Sequence, residues 1–482
     1  MRSVHALATL LVISLSPLAG APLHAEQTRA PAPATPVTLD DAIAEALMRS
    51  PALEPARESV ALADIGRQRA AGEFALRVAP NWSSRTDGLG AGTQFGLAIE
   101  RRLTTGTELR VTGDLLRDSA LDPGAWAGGY AVTVVQPLLS SFGPVTTARL
   151  RDAERGVSAS TRAFEQSRRD LVIRVAQAYF AVVRQQRLAE AAERALTRAD
   201  KLREASEART RVGLATKLDV LRADLLASQA RAGLEGQYEA LADHLDQLKV
   251  LLGRPFDADL TVDARAPFAA VGAPAAPAGI DALIASAAAG RLDLHEMRDR
   301  VADAKRAASV ARWSLVPDVR LEATYDRRAS GFGRGDSGLD SGRIDLPRRG
   351  WSVGLGTSYA FDRAGASVAL AAADIQLRAA GRRLVDAERA VEADVRRAAR
   401  AVDRAGARIA IQAQAVAVAE QQLALAEMRY ERGLAGNFDV VDAESNLFQA
   451  ESALISAQVE RALAGLVLEN ASGTLDPRRY LQ

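Results

Sequence analysis

One long unit occurs twice in this chain, and that duplication restricts its fold more than any other feature. Gly213-Leu214-Ala215-Thr216-Lys217-Leu218-Asp219-Val220-Leu221 returns 220 residues later as Gly433-Leu434-Ala435-Gly436-Asn437-Phe438-Asp439-Val440-Val441. The offset holds without a gap from Leu171–Gly253 to Val391–Gly473. It sets Val175 on Val395, Glu207 on Glu427, Arg209 on Arg429 and Gln229 on Gln449. Fold and function must therefore be read on the repeat.

Each copy shows the same succession of periodicities. A helix capped by Thr38 or Asp40 is expected to run to about Val78, with a break near Pro51 and a stop at Pro80. The pattern returns at Ile280-Asp281 and stops at Pro317. Matching Pro80 to Pro317 leaves the first copy four residues longer after Leu53 than the second after Leu294, one extra helical turn. Alternation follows in both. Val319, Leu321, Ala323 and Tyr325 oppose Asp318, Arg320, Glu322 and Thr324. Trp351, Val353, Leu355, Tyr359 and Phe361 oppose Ser352, Gly354, Gly356 and Ser358. In the first copy Phe95, Leu97 and Ile99, then Leu109 and Val111, then Tyr130, Val132 and Val134 do the same. Trp82, Trp126 and Trp351 also lie in these regions, 81–140 and 318–362, so membrane strands with interfacial aromatics fit better than exposed soluble hairpins.

Beyond the strands the period becomes helical and long. Val391, Val395, Ala398, Val402, Ala405, Ile409, Gln412, Val416, Ala419, Leu423, Ala426 and Tyr430 keep a 4,3 spacing. Leu447, Ala450, Leu454, Ala457, Arg461, Ala464, Leu468 and Ala471 resume it past the turn. The helix from about Val145 to Val212 is then ~100 Å long. Two helices of roughly 40 residues, one from the strands and one from the turn, together match that length and should meet midway. The Pro- and Ala-rich segment 254–278 would sit there as a waist. The other boundaries are 38–253 and 279–473 for the repeats, 212–217 and 432–438 for the turns, and 474–482 for a tail.

Bulk properties exclude more than they assign. Net charge is +1, which gives no reason to expect nucleic acid. With no cysteine there is no disulfide, thiolate or lipid-bearing cysteine, and four histidines give little for a catalytic or metal site. An enzyme is not expected, nor a cofactor or metal. His244 and His295 read as packing and isolated residues. The Gly331–Asp336 stretch lacks the helix and Lys-Ser or Lys-Thr of a phosphate loop. Arg2, the apolar Ala6–Leu15 and Leu23-His24-Ala25 read as a secretory signal over 1–25, with a Pro/Ala-rich lead-in over 26–37. No later segment is apolar for long enough to be a membrane helix. One copy of the chain supplies four principal strands, or six if the Gln94–Leu115 pair counts. A closed membrane barrel takes at least about eight, so the chain must associate with itself under rotational symmetry.

The doubled Gly-Leu-Ala turn, Leu218-Asp219-Val220-Leu221, Phe438-Asp439-Val440-Val441-Asp442-Ala443, Gln136-Pro137-Leu138-Leu139 and Leu315-Val316-Pro317 together resemble the TolC-type outer-membrane efflux proteins, from about Thr38 to Gly473. The resemblance implies a mainly α protein with a membrane β-barrel: a homotrimer with 12 barrel strands above a coiled-coil periplasmic tunnel. It implies an unlipidated exit duct in the outer membrane of a Gram-negative bacterium, most of its mass periplasmic, serving a tripartite efflux pump or type I secretion system. The implied partners are a periplasmic adaptor, an inner-membrane transporter and outer-membrane lipid. A periplasmic coiled-coil adaptor or structural protein without a barrel is the competing reading, and it would not need two strand regions at matching positions. Cargo is not legible.

By the same resemblance, Val212, Gly213, Leu214, Ala215, Thr216, Gly433 and Leu434 form the adaptor-docking tip. Asp219, Asp439, Asp442 and Tyr430 match positions that close the periplasmic opening. Ala435 stands where an arginine often links neighbouring helices, and Gly436 also departs from the pattern. The residues themselves leave alternatives open. Asp219 and Asp439 suit helix caps as well as carboxylate rings, and Tyr430 suits packing as well as a gate.

Overall fold

The computed structural model describes residues 36–87, 90–118, 126–139, 142, 145–263, 279–332, 346, 348–358 and 363–481. The expected signal and most of the lead-in, the waist segment beyond 263, the loop from Gly333 and the strand residues Tyr359 and Phe361 lie outside the described residues.

The chain enters through α1 (Leu39–Arg49), a single 3₁₀ turn (Pro51–Leu53) and α2 (Glu54–Gly72). Four strands follow: β1 (Arg77–Asp87), β2 (Gly90–Arg102), β3 (Glu108–Asp118) and β4 (Trp126–Pro137). The long helix α3 (Ala148–Arg211) leads to the first tip turn, and α4 (Lys217–Leu252) returns from it. The second copy is α5 (Ile280–Gly290), α6 (Leu292–Trp313), β5 (Asp318–Phe332), β6 (Arg348–Ser358), α7 (Ala364–Glu431) and α8 (Asn437–Ala471). A 3₁₀ turn (Pro477–Tyr480) ends the described chain.

At 64 and 68 residues, α3 and α7 are each ~100 Å long, as the sequence predicts. Near the strands α3 packs against α2, and toward the turn against α4; α7 packs likewise against α6 and α8. The half-length helices meet at the middle. Gly253, at φ +72°, ends α4 against Arg49 and Pro51, and Gly473, at φ +71°, ends the second copy against Gly290 and Arg291. A Cβ at Gly253 would lie 2.7 Å from the Arg49 carbonyl oxygen, and one at Gly473 would lie 2.8 Å from the Gly290 carbonyl carbon. Both glycines are needed for a left-handed backbone at a point of close approach.

Around this junction lies the largest core. Leu171, Val172, Val175, Ala176, Tyr179 and Phe180 are fully buried, so α3 is surrounded on most faces, by Ile43 and Leu53 on one side and Leu248 and Leu252 on another. Val37 bridges Val262, and the Tyr179 hydroxyl donates to the carbonyls of Val37 (3.1 Å) and Asp263 (3.3 Å). Thus the described start of the 254–278 segment is held at the waist.

Three expectations change. The first helix stops at Gly72, not Val78. Pro80 lies within β1, opposite Leu97 of β2. Leu53 and Leu294, each 1 % exposed, are both 24 residues before the first residue of the next strand, Arg77 and Asp318. The proposed extra turn therefore does not exist. The α7 seam is buried at Val391, Val395, Ala398, Val402, Ala405, Ala419, Leu423, Ala426 and Tyr430. In the second half of α8, by contrast, Val459, Ala462 and Leu466 are buried instead of Arg461, Ala464 and Leu468. There α8 turns a second face to α3, so one heptad line no longer describes it.

The sheet answers a point that the sequence leaves open. All six strands join in one antiparallel meander, in the order β1-β2-β3-β4-β5-β6, and the Gln94–Leu115 pair is inside it. Three protomers of four strands make the 12 that the resemblance implies; this protomer carries two strands more. Alternation explains why the pair stays. On one face Trp82 is opposite Phe95, Val111 opposite Val132, and Tyr325 opposite Trp351. On the other, Asn81 faces Gly96, Glu100 faces Arg110, and Glu322 faces Gly354.

Candidate functional site

The tip is built by two helix ends that stop in the same way. In the first, Gly213 (φ +79°) donates to the Thr210 carbonyl (3.1 Å) and Leu214 to that of Arg209 (2.8 Å). In the second, Gly433 (φ +71°) donates to Tyr430 (3.0 Å) and Leu434 to Arg429 (2.8 Å). This pair of bonds reverses the chain within two residues and requires a left-handed residue, hence glycine. It also turns the following leucine outward. Leu214 is 70 % and Leu434 68 % exposed, and Val212, Leu218, Leu221 and Phe438 are exposed beside them. Ala215 is half-buried and Thr216 exposed. The expected docking residues thus share one end of the helical bundle and present apolar surface there.

The acidic positions divide. Asp219 accepts from the Thr216 backbone N–H (3.0 Å) and hydroxyl (2.8 Å), and its own N–H donates to Thr216 Oγ1 (3.2 Å). This reciprocal capping box fixes the start of α4. The second copy has Gly436 where the first has Thr216, and α8 has no side-chain cap. Asp439 is exposed, and its carboxylate has no partner among the described residues. Asp442, also exposed, accepts from Asn446 Nδ2 at 3.2 Å. Two carboxylates thus remain on the open first turns of α8 while the third is engaged in holding its helix.

Tyr430 is buried in a small core with Leu202, Ala223, Leu423, Val440 and Leu447. Its hydroxyl is 2.9 Å from Ser206 Oγ, a fully buried group on α3. The Arg209 guanidinium lies 4.6 Å from its ring centre and donates through Nη1 to the carbonyls of Tyr430 (2.5 Å) and Glu431 (3.2 Å). Arginine therefore caps the carbonyl end of α7, where a cation is favoured. Asn437, fully buried, donates to the Asp219 carbonyl at 2.5 Å, and so ties the start of α8 to the start of α4.

Arg209, Ser206 and Asn437 were not singled out from sequence. The duplication did align Arg209 with Arg429, but a repeat offset reports equivalence and not contact. The same holds for Arg198, whose Nε donates to both oxygens of the buried Glu444 at 2.8 and 2.7 Å. Burial raises the Glu444 carboxyl above its ordinary range, and Arg198 pulls it back only in part. Nearer the strands, Arg155 and Arg162 of α3 each pair with Asp299 of α6, at 2.5 and 2.8 Å. Arginines along α3 thus join it to the other copy at several levels, Arg169 to the Gly290 carbonyl (3.3 Å) among them. Of the histidines, His295 Nε2 lies 2.9 Å from the Ala289 carbonyl oxygen, and His244 Nδ1 is buried without a partner among the described residues.

No curated protein matches the chain. Among solved structures, the outer-membrane channel OprN is similar with a TM-score of 0.68 at 20% identity, over 91% of this chain and 90% of that one. The outer membrane protein VceC from Vibrio cholerae scores 0.67 at 21%, over 90% of this chain and 96% of that one. The MtrE outer membrane channel of Neisseria gonorrhoeae, in its open state, scores 0.67 at 19%, over 91% of each chain. A family model described as outer membrane efflux protein matches residues 117–254 and 283–474, one stretch in each copy. With that match over most of its length, and with the fold those channels share, the chain belongs to the outer membrane efflux protein family.

Proposed function

We propose that three copies of this chain form the exit duct of an efflux or secretion assembly, in the outer membrane of a Gram-negative bacterium. Residues 1–25 are read as the export signal, 38–253 and 279–473 as the two repeats and 254–278 as the waist link. One observation carries the reading. A sheet whose one face is apolar across all six strands has both edges, β1 and β6, unpaired in the protomer, and it stands at the strand end of helices ~100 Å long. Such a face needs lipid, and such edges need closure. The even strand number lets β6 of one copy meet β1 of the next in antiparallel fashion, so a ring closes without a mismatch.

The tip supports a docking role for Val212, Gly213, Leu214, Ala215, Thr216, Gly433 and Leu434. An apolar patch held by two rigid turns suits the helical hairpin tips of a periplasmic adaptor, which would connect the duct to an inner-membrane transporter. Asp439 and Asp442 become rings of three under the same symmetry. Carboxylate rings favour cations and hold divalent ions. Asp219 serves the fold, and Tyr430 joins the two copies within a protomer. Ala435 leaves the arginine link between neighbouring helices without its usual side chain. Arg209 makes its link inside the protomer instead.

Fractionation tests the proposal. The protein should be recovered from the outer membrane as a trimer that crosslinking captures and heating dissociates. Recovery as a soluble periplasmic monomer would refute it.

A further inference from the structure

We infer that the β2–β3 hairpin is part of the barrel wall, so that three protomers close 18 strands and not 12. The inference rests on the trimeric membrane reading above and concerns the width of its outer mouth.

Register carries the argument. Every residue of β1 pairs with β2, from Arg77↔Glu100 to Asp87↔Gly90, and β3 pairs with β4 from Glu108↔Val135 to Arg117↔Trp126. β1 and β4 are not neighbours, so moving the hairpin out of the wall would break two complete ladders. Composition agrees with register. Phe95, Leu97, Ile99, Leu109, Val111 and Leu115 fall on the face that carries Trp82 and Val132, whereas Gln94, Glu100, Arg110, Thr112 and Asp114 fall on the other. A hairpin lying in water has no reason to keep the apolar residues of its middle on the lipid side of its neighbours. Its strands have 13 and 11 residues, close to the ~9–11 that a tilted strand needs to span a bilayer.

The connection is also of the right kind. Leu103 N–H donates to the Thr107 carbonyl and Gly106 N–H to that of Leu103, both at 2.8 Å, with Gly106 at φ +92°. This tight turn lies at the helix side of the sheet, where membrane barrels have short turns.

Barrel diameter grows roughly linearly with strand number, so 18 strands make a mouth about half again as wide as 12, with about twice the cross-section. The hairpin thus acts on cargo size: a duct of this width passes bulkier molecules at its outer end than a 12-stranded one.

The chain has no cysteine, which allows single-cysteine labelling in the intact outer membrane. Thr112→Cys should react with a small aqueous maleimide entering the lumen, and Leu97→Cys only with a lipid-soluble one. Electron cryomicroscopy of the purified trimer should count 18 strands. A trimer with 12 wall strands, or equal aqueous labelling at both positions in an intact trimer, would overturn the inference and leave the channel reading standing. Absence of a membrane trimer would overturn both. Deleting 90–118 joins β1 to β4 as one hairpin. A folded deletion trimer should exclude polyethylene glycols that the full chain admits from outside, and an unchanged size limit would count against the inference.

Discussion

Arg209→Met keeps the aliphatic stem at the tip and removes the guanidinium. Two donated bonds are lost, at 2.5 and 3.2 Å, together with a ring contact at 4.6 Å. A hydrogen bond from a charged group contributes about 1.5–3 kcal/mol and a half-exposed cation–π contact about 0.5–1 kcal/mol. The two terms share one side chain, and the released carbonyls at the helix end can bond to water. The expected net loss is therefore about 2 kcal/mol of local stability. That magnitude corresponds to amide exchange about 30-fold faster in the last turn of α7, Met428–Arg432, if this turn opens locally. Amides near Val391 and Val395, in a separate core beside α5 and α6, should be unchanged. The measurement is hydrogen exchange by mass spectrometry on the purified protein. Protection of Met428–Arg432 within threefold of wild type would refute the clasp. Tyr430→Phe provides a second arm. It leaves Ser206 buried without its partner and should cost about 1–3 kcal/mol.

Other substitutions separate structure from function. Gly253→Ala forces a side chain into the left-handed region and against the Arg49 carbonyl, and should destabilise by about 1–3 kcal/mol or more. Gly66→Ala, in α2 with nothing near its Cβ, should be neutral or stabilising by up to about 1 kcal/mol; thermal unfolding in detergent compares them. Asp219→Ala should lower stability by about 1 kcal/mol through loss of its cap, whereas Asp439→Ala with Asp442→Ala should spare stability and reduce cation preference and divalent block in single-channel recordings. Because the folded state raises the Glu444 carboxyl, that group favours folding most below the ordinary glutamate value of ~4.3, and its contribution is lost as pH rises through the higher folded value. Glu444→Gln should flatten that part of the stability–pH curve, and Arg198→Met, which strands the buried carboxylate, should cost about 3–5 kcal/mol near neutral pH.

The contrast between Val391 and Arg209 shows how much of this protein is legible in its sequence. Val391 begins a seam whose spacing alone predicts its burial, and Leu321 with Leu355 declares a strand face by alternation. Such features repeat at a fixed period along one segment, and the duplication states each twice. The tip turn is legible for the same reason. Arg209, Asn437 and Arg198 act across copies more than 200 residues apart, and no period links a donor on α3 to a carbonyl on α7. Pro80 misled because it stands inside a strand, whereas its apparent partner Pro317 lies just outside β5. The hairpin was visible as alternation, but only its ladder on both sides places it between β1 and β4.

The order of the meander has a consequence for how the protein is made. Four of its five strand-to-strand connections are short by comparison, but β4 and β5 are separated by roughly 180 residues, most of the described ones helical. In a flexible chain, closing a loop of that length costs ~3–4 kcal/mol more in chain entropy than closing a minimal turn. Here α3 carries the chain ~100 Å away, and α4, α5 and α6 carry it back. Once those helices have packed, the start of β5 is delivered beside the end of β4, and the entropy has already been offset by helix burial. The helical part is thus the jig that brings the two halves of the protomer's sheet together: β1–β4 are contiguous in sequence, whereas the β4–β5 seam depends on the helices. Substitutions in the waist core, far from any strand, should then appear first as unfinished barrels.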